Sequence, residues 1–135
     1  MPSVLFVCVA NSFRSQIAEA AARSLGGGRW EVWSAGSHPG SGVHPLAARL
    51  MAELGYDLSA QHSKGLTDLP AKRWDYVVTM GCGDACPAVP ARERLDWDLP
   101  DPTARPLEEI RRVRDHIIDL VRSLLERSPA GTSTP

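Results

Sequence analysis

The sequence predicts a single α/β domain in which a four-stranded parallel sheet is flanked by helices. Apolar runs of strand length alternate with longer segments of helical period, and no repeat or linker divides the chain. At 135 residues the chain is long enough to bury a core without a disulfide or a metal. We expect residues 1–127 to form the domain and the polar residues 128–135, which include helix breakers, to form a disordered tail.

Each predicted element has local support in the sequence. Strands are expected at residues 3–7, 30–34, 75–80 and 94–97, and helices at about residues 15–26, 45–54 and 106–127. The first helix ends at three consecutive glycines, and the third begins at a proline with two glutamates in its first turn. The apolar faces are Ile17, Ala20, Ala21 and Leu25, then Leu46, Leu50, Met51 and Leu54, then Ile110, Val113, Ile117, Leu120, Val121 and Leu124. We expect the arginine-rich face of the third helix to be solvated.

Composition and charge exclude several classes of function. The formal net charge is −1 at pH 7, and acidic and basic residues are interspersed, whereas nucleic-acid-binding proteins concentrate positive charge on one face. The chain shows no signal peptide or long apolar span, and its three cysteines are an odd number. We therefore expect a cytoplasmic protein with reduced thiols and no membrane or nucleic-acid partner. No apolar heptad pattern is present, so we expect a monomer.

The most informative motif joins the first strand to the first helix. Cys8 directly follows the strand, and Arg14 and Ser15 stand at the start of the helix. Such a loop presents unpaired N–H groups and the positive end of a helix dipole, which bind tetrahedral oxyanions and favour the thiolate form of a cysteine. We predict that Cys8 is a nucleophile and that Arg14 binds anion oxygens. The predicted anion-binding loop comprises Val9, Ala10, Asn11, Ser12, Phe13, Arg14 and Ser15.

A carboxyl group follows the last predicted strand. Asp101 lies between two prolines that hold its loop rigid, which suits a residue that donates a proton to a leaving oxygen. An aspartate before proline is equally common in ordinary turns, and Asp98 is a competing candidate. Because parallel strands end at the same edge of a sheet, we expect Cys8, Cys82 and Asp101 to converge there.

Two further cysteines follow the third predicted strand. Cys82 and Cys86 are four residues apart, a spacing that on a helix places both sulfurs on one face. A zinc site would need two more ligands, and no second Cys or His pair follows at a suitable spacing. We therefore predict no metal and a redox pair in which one thiolate attacks and the other resolves the disulfide. The histidines are expected at the surface or at helix caps: His38, His44, His62 and His116.

The sequence of residues 4–19, VLFVCVANSFRSQIAE, resembles the low-molecular-weight protein tyrosine phosphatase superfamily and, within it, the arsenate reductases that use a disulfide cascade. Matching segments continue in order at residues 34–36, 44–47, 61–64, 77–79, 82–87, 101–102 and 111–115. Gln16 stands where the phosphatases usually have proline. Thr103 follows the Asp-Pro dipeptide where the phosphatases place tyrosines.

The resemblance implies a mechanism. Cys8 attacks arsenate held by the loop and Arg14, while Asp101 protonates the departing oxygen. Cys82 then attacks the Cys8 sulfur, arsenite leaves, and Cys86 moves the disulfide to a position where thioredoxin or another thiol reductant reaches it. Phosphate and sulfate are then competing anions, and no bound cofactor is needed.

Two features depart from that family pattern. Fewer residues separate Cys82 from Cys86 than in the best-known thioredoxin-coupled members, which leaves the physiological reductant open. Some members bind an alkali cation at a site that Asn11, Glu19 and Ser34 match, but Lys64 stands where those members have an aspartate. We therefore do not predict a bound potassium ion.

Two other functions compete with arsenate reduction, our leading hypothesis. A phosphatase that acts on small or aryl phosphates needs only Cys8, Arg14 and Asp101. Such an enzyme would be nearly indifferent to serine at position 82 or 86. A sensor of redox state or of oxyanions would need a partner-binding module, and the sequence shows none.

Overall fold

The computed structural model describes residues 1–40, 42–81, 89–100, 102 and 104–127. In chain order the elements are β1 (Ser3–Cys8), α1 (Arg14–Gly26), β2 (Glu31–Gly36), α2 (Pro45–Ala52), a 3-10 helix (Leu66–Asp68), β3 (Trp74–Thr79), β4 (Ala91–Asp96) and α3 (Leu107–Glu126). The four strands form one sheet in the order β2-β1-β3-β4, and every pair is parallel. The predicted fold class is confirmed. The proposed tail at residues 128–135 lies outside the described residues.

The central strand β1 is buried along its whole length. It pairs with β2 on one side and β3 on the other, so that Leu5 is aligned with both Trp33 and Val77. Phe6 belongs to the larger core cluster, and Leu5 belongs to a second cluster on the opposite face of the sheet. Burial on both faces explains why the sequence of β1 is continuously apolar rather than alternating.

All three helices contribute side chains to the larger core cluster. α1 contributes several alanines as well as Ile17, and small side chains let a neighbouring helix approach closely. The second cluster is packed instead by Leu66 of the 3-10 helix and by Leu69. Within the described ranges, no helix is long and apolar enough to cross a membrane.

Three expectations differ from the structure. β4 begins at Ala91, three residues before the predicted start. The prediction missed these residues because β4 is an edge strand whose half-buried and exposed residues alternate, and its charged side chains hide the apolar pattern. α2 ends at Ala52, and Leu54 is 48 % exposed because the chain turns there. Arg114, on the helix face expected to be solvated, is buried and donates a hydrogen bond to the Leu50 carbonyl oxygen.

The order of the strands defines where a ligand can bind. The chain leaves β1 to form β2 on one side and later forms β3 on the other, so the direction of winding reverses at β1. In open α/β sheets the crevice beyond the carboxyl end of such a strand is the usual ligand site. Cys8 is the last residue of β1 and therefore lies at this position.

A carboxylate joins the end of α2 to α3. Glu53 accepts hydrogen bonds from Arg111 at 2.9 Å and from Arg114 at 2.7 Å. The bond from Arg111, followed by that from Arg114, lowers the pKa of the Glu53 carboxyl from its usual 4.5 to about 2.

We predict that the glutamine substitution Glu53→Gln makes the protein less stable at neutral pH and less sensitive to acid. Because the pKa of Glu53 is lower in the folded state, its contribution is complete above about 4.5 and disappears as the pH falls toward about 2. Melting temperatures measured over this range should fall less steeply in the variant. Glu108→Gln is the control, since Glu108 also contacts Arg111 but is 75 % exposed. Identical acid profiles for wild type and Glu53→Gln would contradict the prediction.

Candidate active site

The loop between β1 and α1 has its carbonyl groups turned outward. Every carbonyl oxygen from residue 8 to residue 13 accepts a hydrogen bond from a group outside residues 9–13. The N–H groups of Ser37, His38 and Gly40 donate to the carbonyl oxygens of residues 8, 9 and 10. The side chains of Gln16 and Ser63 donate to the carbonyl oxygen of Asn11. The N–H groups of His44 and Ile17 donate to the carbonyl oxygens of residues 12 and 13. These bonds fix the orientation of every peptide unit in the loop.

The N–H groups of the same loop face the opposite, concave side. In a trans peptide the N–H points away from the C=O, and no backbone acceptor in the described part of the chain is paired with the N–H groups of residues 9–15. Asn11 has a φ of 51°, the left-handed region that curls successive N–H groups toward one point. Phe13, the N-cap of α1, provides no side-chain cap, so the first turn of the helix also faces the concavity. This arrangement suits a tetrahedral oxyanion.

The end of β2 supports the loop from below. A Cβ atom at Gly36 would lie 2.6 Å from the Val9 carbonyl oxygen and 2.9 Å from the Asn11 nitrogen. The N–H of Gly36 donates to the Lys64 carbonyl oxygen at 2.8 Å. Only glycine therefore lets the loop rest directly on the β2 backbone.

Cys8 is a buried free cysteine at the base of the loop, 3 % exposed. Its Sγ lies 2.8 Å from the Ser15 hydroxyl oxygen. The helix α1 positions Ser15, and the strand β1 positions Cys8, so the pair is held by two rigid elements. The Ser15 hydroxyl is therefore in hydrogen-bonding contact with the thiol.

The guanidinium of Arg14 lies between the segments that follow β3 and β4. Its Nη1 donates to the Leu99 carbonyl oxygen at 3.0 Å, which links the loop to the segment that follows β4. A Cβ atom at Gly81 would lie 2.6 Å from the same Nη1. The Gly81 backbone, with a φ of 80°, thus leaves the space that the guanidinium occupies.

The structure places part of the predicted site. Cys8, Arg14 and the loop between them lie beyond the carboxyl end of β1, where Ser15 Oγ contacts both Cys8 Sγ and Asn11 Nδ2. Cys82, Cys86 and Asp101 lie outside the described residues, so their predicted convergence with Cys8 stays a prediction. Asp98, the competing acid, is exposed. His44 caps α2, as expected for that histidine: its Nδ1 accepts from the Leu46 N–H.

Sequence reasoning assigned no packing role to Gly36 or Gly81. Both glycines stand at or just after the carboxyl end of a strand, next to the loop or to its arginine. A glycine at that position often marks a close approach of backbone or ligand. This signal was available in the sequence, but the contacting groups were not.

Comparison with known proteins defines the family. Residues 3–130 match the family described as low molecular weight phosphotyrosine protein phosphatase, and the chain belongs to this family. The resemblance inferred from residues 4–19 is therefore confirmed.

Relatives and solved structures are similar to this protein over most of its length. The glutaredoxin arsenate reductase of Synechocystis sp. is 38 % identical over 130 residues, which cover 94 % of this chain and 98 % of the relative. A solved arsenate reductase in a phosphate-binding state is 38 % identical, with a TM-score of 0.86 and coverage of 94 % and 98 %. A thioredoxin-dependent arsenate reductase of Corynebacterium glutamicum is 39 % identical, with a TM-score of 0.78 and coverage of 94 % of this chain and 61 % of that one.

We predict that Gly81→Ala weakens oxyanion binding while the matched variant Gly28→Ala does not. Both glycines have a φ near 80°, so each alanine should cost about 1 kcal/mol of stability. Only at position 81 does the added methyl group collide with Arg14, since nothing lies within 4 Å of a Cβ at Gly28. Protection of Cys8 from iodoacetamide by phosphate should require about tenfold more phosphate in Gly81→Ala. Equal protection in the two variants would show that this backbone does not set the guanidinium position.

Proposed function

We propose that this protein reduces arsenate to arsenite with Cys8 as its nucleophile. The observation that carries the proposal is the buried Cys8 thiol at the base of a loop whose carbonyl oxygens are all bonded outward. The extensive similarity to arsenate reductases, which includes the phosphate-binding structure, supports an arsenic oxyanion as the ligand. Arsenate and phosphate share tetrahedral shape and negative charge, so phosphate and sulfate act as competitors at the same loop.

The first step is an attack of the Cys8 thiolate on arsenic. A sulfur–arsenic bond forms and one arsenate oxygen departs as water. The loop N–H groups and the Arg14 guanidinium stabilise negative charge on the remaining oxygens. We assign protonation of the departing oxygen to Asp101, with Asp98 as the competing donor, because a positioned carboxylic acid suits this role.

The second step transfers two electrons to arsenic. The Cys82 thiolate attacks the Cys8 sulfur, a disulfide forms, and the electron pair of the sulfur–arsenic bond remains on arsenic, which leaves as arsenite. Cys86 then attacks Cys82, which frees Cys8 and produces a Cys82–Cys86 disulfide. The reducing equivalents thus come from two thiols of the protein, without a bound redox cofactor.

An external thiol reductant must regenerate the enzyme. We propose thioredoxin first, because one similar structure is described as thioredoxin-dependent. The Synechocystis relative is named a glutaredoxin arsenate reductase, so glutaredoxin with glutathione is the second reductant to test. Thiols that must be reduced after each turnover fit a protein of the reducing cytoplasm.

A phosphatase activity is the second candidate. It is favoured by the family itself and needs only the loop, Cys8, Arg14 and an acid. In that reaction water hydrolyses a phosphorylated Cys8, and no second thiol takes part. The contribution of Cys82 and Cys86 therefore separates the two functions.

We predict that Cys82→Ser and Cys86→Ser abolish repeated arsenate reduction but leave aryl phosphate hydrolysis nearly unchanged, whereas Cys8→Ser abolishes both. Arsenite formation is measured with NADPH and either the thioredoxin system or the glutaredoxin system. Hydrolysis of an aryl phosphate by the same preparations is the internal control for folding and for the loop.

One result would count against arsenate reduction and another against the relay. Aryl phosphate turnover without arsenite formation under either reductant would identify a phosphatase. Multiple turnovers of arsenate by Cys82→Ser and Cys86→Ser would show that the three-cysteine relay is wrong, even if arsenate is the substrate.

A further inference from the structure

A lysine is buried beneath the anion-binding loop. Lys64 is only 7 % exposed, and its Nζ lies 3.4 Å from Glu19 Oε1 and 3.1 Å from the His62 carbonyl oxygen. Glu19 is 2 % exposed and also pairs with Arg23 through its other oxygen. Lysine is almost never buried without a specific partner, because removing its charge from water is costly. The reaction described above does not use this ion pair.

The pair stands at one end of a chain of hydrogen bonds that leads to the Cys8 sulfur. A carboxylate only accepts, so the Ser34 hydroxyl donates its hydrogen to Glu19. Ser34 Oγ in turn accepts from Asn11 Nδ2 at 2.9 Å, and the same Nδ2 donates to Ser15 Oγ at 2.8 Å. The Ser15 hydrogen is then free to point at Cys8 Sγ, 2.8 Å away. The carboxylate thus sets the direction of the Ser34 bond, and the Asn11 NH₂ group, which donates to both serines, leaves the Ser15 hydrogen for the sulfur.

The orientation of the Asn11 amide is fixed independently. Its Oδ1 accepts from the Lys64 backbone N–H at 2.8 Å and from Gln16 Nε2 at 3.1 Å. Gln16 is itself oriented, because its Oε1 accepts from Gln61 Nε2 at 2.7 Å. Asn11 must therefore present its NH₂ group to the two serines. Lys64 contributes at two points of the chain: its backbone N–H donates to Asn11, and its ammonium group pairs with Glu19.

The residues around Lys64 do not fit an alkali cation of the kind that some family members bind. Glu19 Oε1 and the His62 carbonyl oxygen already accept from Lys64 Nζ, so the ammonium group itself occupies the place beside the carboxylate. A second positive charge at this place would be repelled by the ammonium group at close range.

We propose that the Lys64 ammonium is a built-in cation that positions Ser15 to donate to the Cys8 thiolate, so that the protein needs no alkali cation. Lys64 is a positioning residue: it balances the Glu19 carboxylate and acts on the sulfur only through Ser34, Asn11 and Ser15. The inference rests on the proposed nucleophilic role of Cys8, but its test uses a direct reaction of that thiol and does not require arsenate.

The first test measures alkylation of Cys8 by iodoacetamide in a Cys82→Ser/Cys86→Ser background, where Cys8 is the remaining thiol. Lys64→Met keeps most of the side-chain volume and removes the charge. Near neutral pH its alkylation should be about tenfold slower, the effect of one lost hydrogen bond to a charged group. Its rate should also rise at higher pH than that of the parent. Lys72→Met is the matched control, because Lys72 pairs with Glu31 at the surface, and its rate should stay unchanged.

The second test restores the charge from solution. A cavity of about 310 Å³ lined by Glu19, Arg23, Gln61, His62 and Lys64 adjoins the ion pair. In Lys64→Ala, methylammonium or potassium should restore the alkylation rate, whereas tetramethylammonium at the same ionic strength should not, because it is too large to approach Glu19 closely. The parent protein should react equally in all three salts.

Three outcomes would overturn the proposal. The first is an unchanged Cys8 alkylation rate in folded Lys64→Met, and the second is a faster rate in the parent when potassium is added. The third is that Lys64→Met slows alkylation equally in a Ser15→Ala background, where the bond to the sulfur is already absent. If Lys64→Met does not fold, Lys64→Arg and the salt series on the parent carry the test, and Lys64→Arg should keep most of the rate. Loss of arsenate reduction with these results intact would overturn the proposed function alone.

Discussion

The hydrogen bonds of Asn11 hold the site together. Its side chain and carbonyl group bind Ser15 and Gln16 of α1, Ser34 of β2, and the segment containing Ser63 and Lys64. A positive φ costs a non-glycine residue about 1 kcal/mol, so this backbone conformation persists only where surrounding contacts impose it. Here those contacts come from three separate parts of the chain. The curvature of the anion-binding loop therefore depends on the folded domain and not on the loop sequence alone.

The sheet provides the rigid frame for this loop. β1 is fixed by strands on both sides and by packed side chains on both faces, so Cys8 at its end has little freedom to move. The outward carbonyl groups are bonded to residues 37–40, to His44 and to Ser63, which tie the loop to segments after β2 and before β3. The proposed oxyanion site is therefore preorganised, and its N–H groups need no rearrangement to receive a charged ligand.

One loop of this kind can serve either phosphoryl transfer or arsenate reduction. It recognises charge and tetrahedral geometry, which the two substrates share, and it presents a thiol at the base. The outcome depends on what attacks next: water at phosphorus, or a second thiol at the Cys8 sulfur. The phosphatase activity of the family and the proposed arsenate reduction are thus compatible with the same loop, and in our proposal the cysteines after β3 decide between the two activities.

The sequence by itself determined the fold class and the order of the elements, and it pointed to Cys8 and Arg14, which we propose as the nucleophile and its anion-binding arginine. These features are local. Apolar periodicity predicts the strands and helices, and Cys8, Arg14 and Ser15 lie close together in the sequence, where the first strand passes into the first helix. Only the tertiary structure decided the burial of Lys64 and Arg114, the close contacts at Gly36 and Gly81, and the 2.8 Å contact between Ser15 Oγ and the thiol. Residues 11, 34 and 64 meet because β2 pairs with β1 and the chain then returns beneath their carboxyl ends, and such long-range proximity leaves no periodic signal in the sequence.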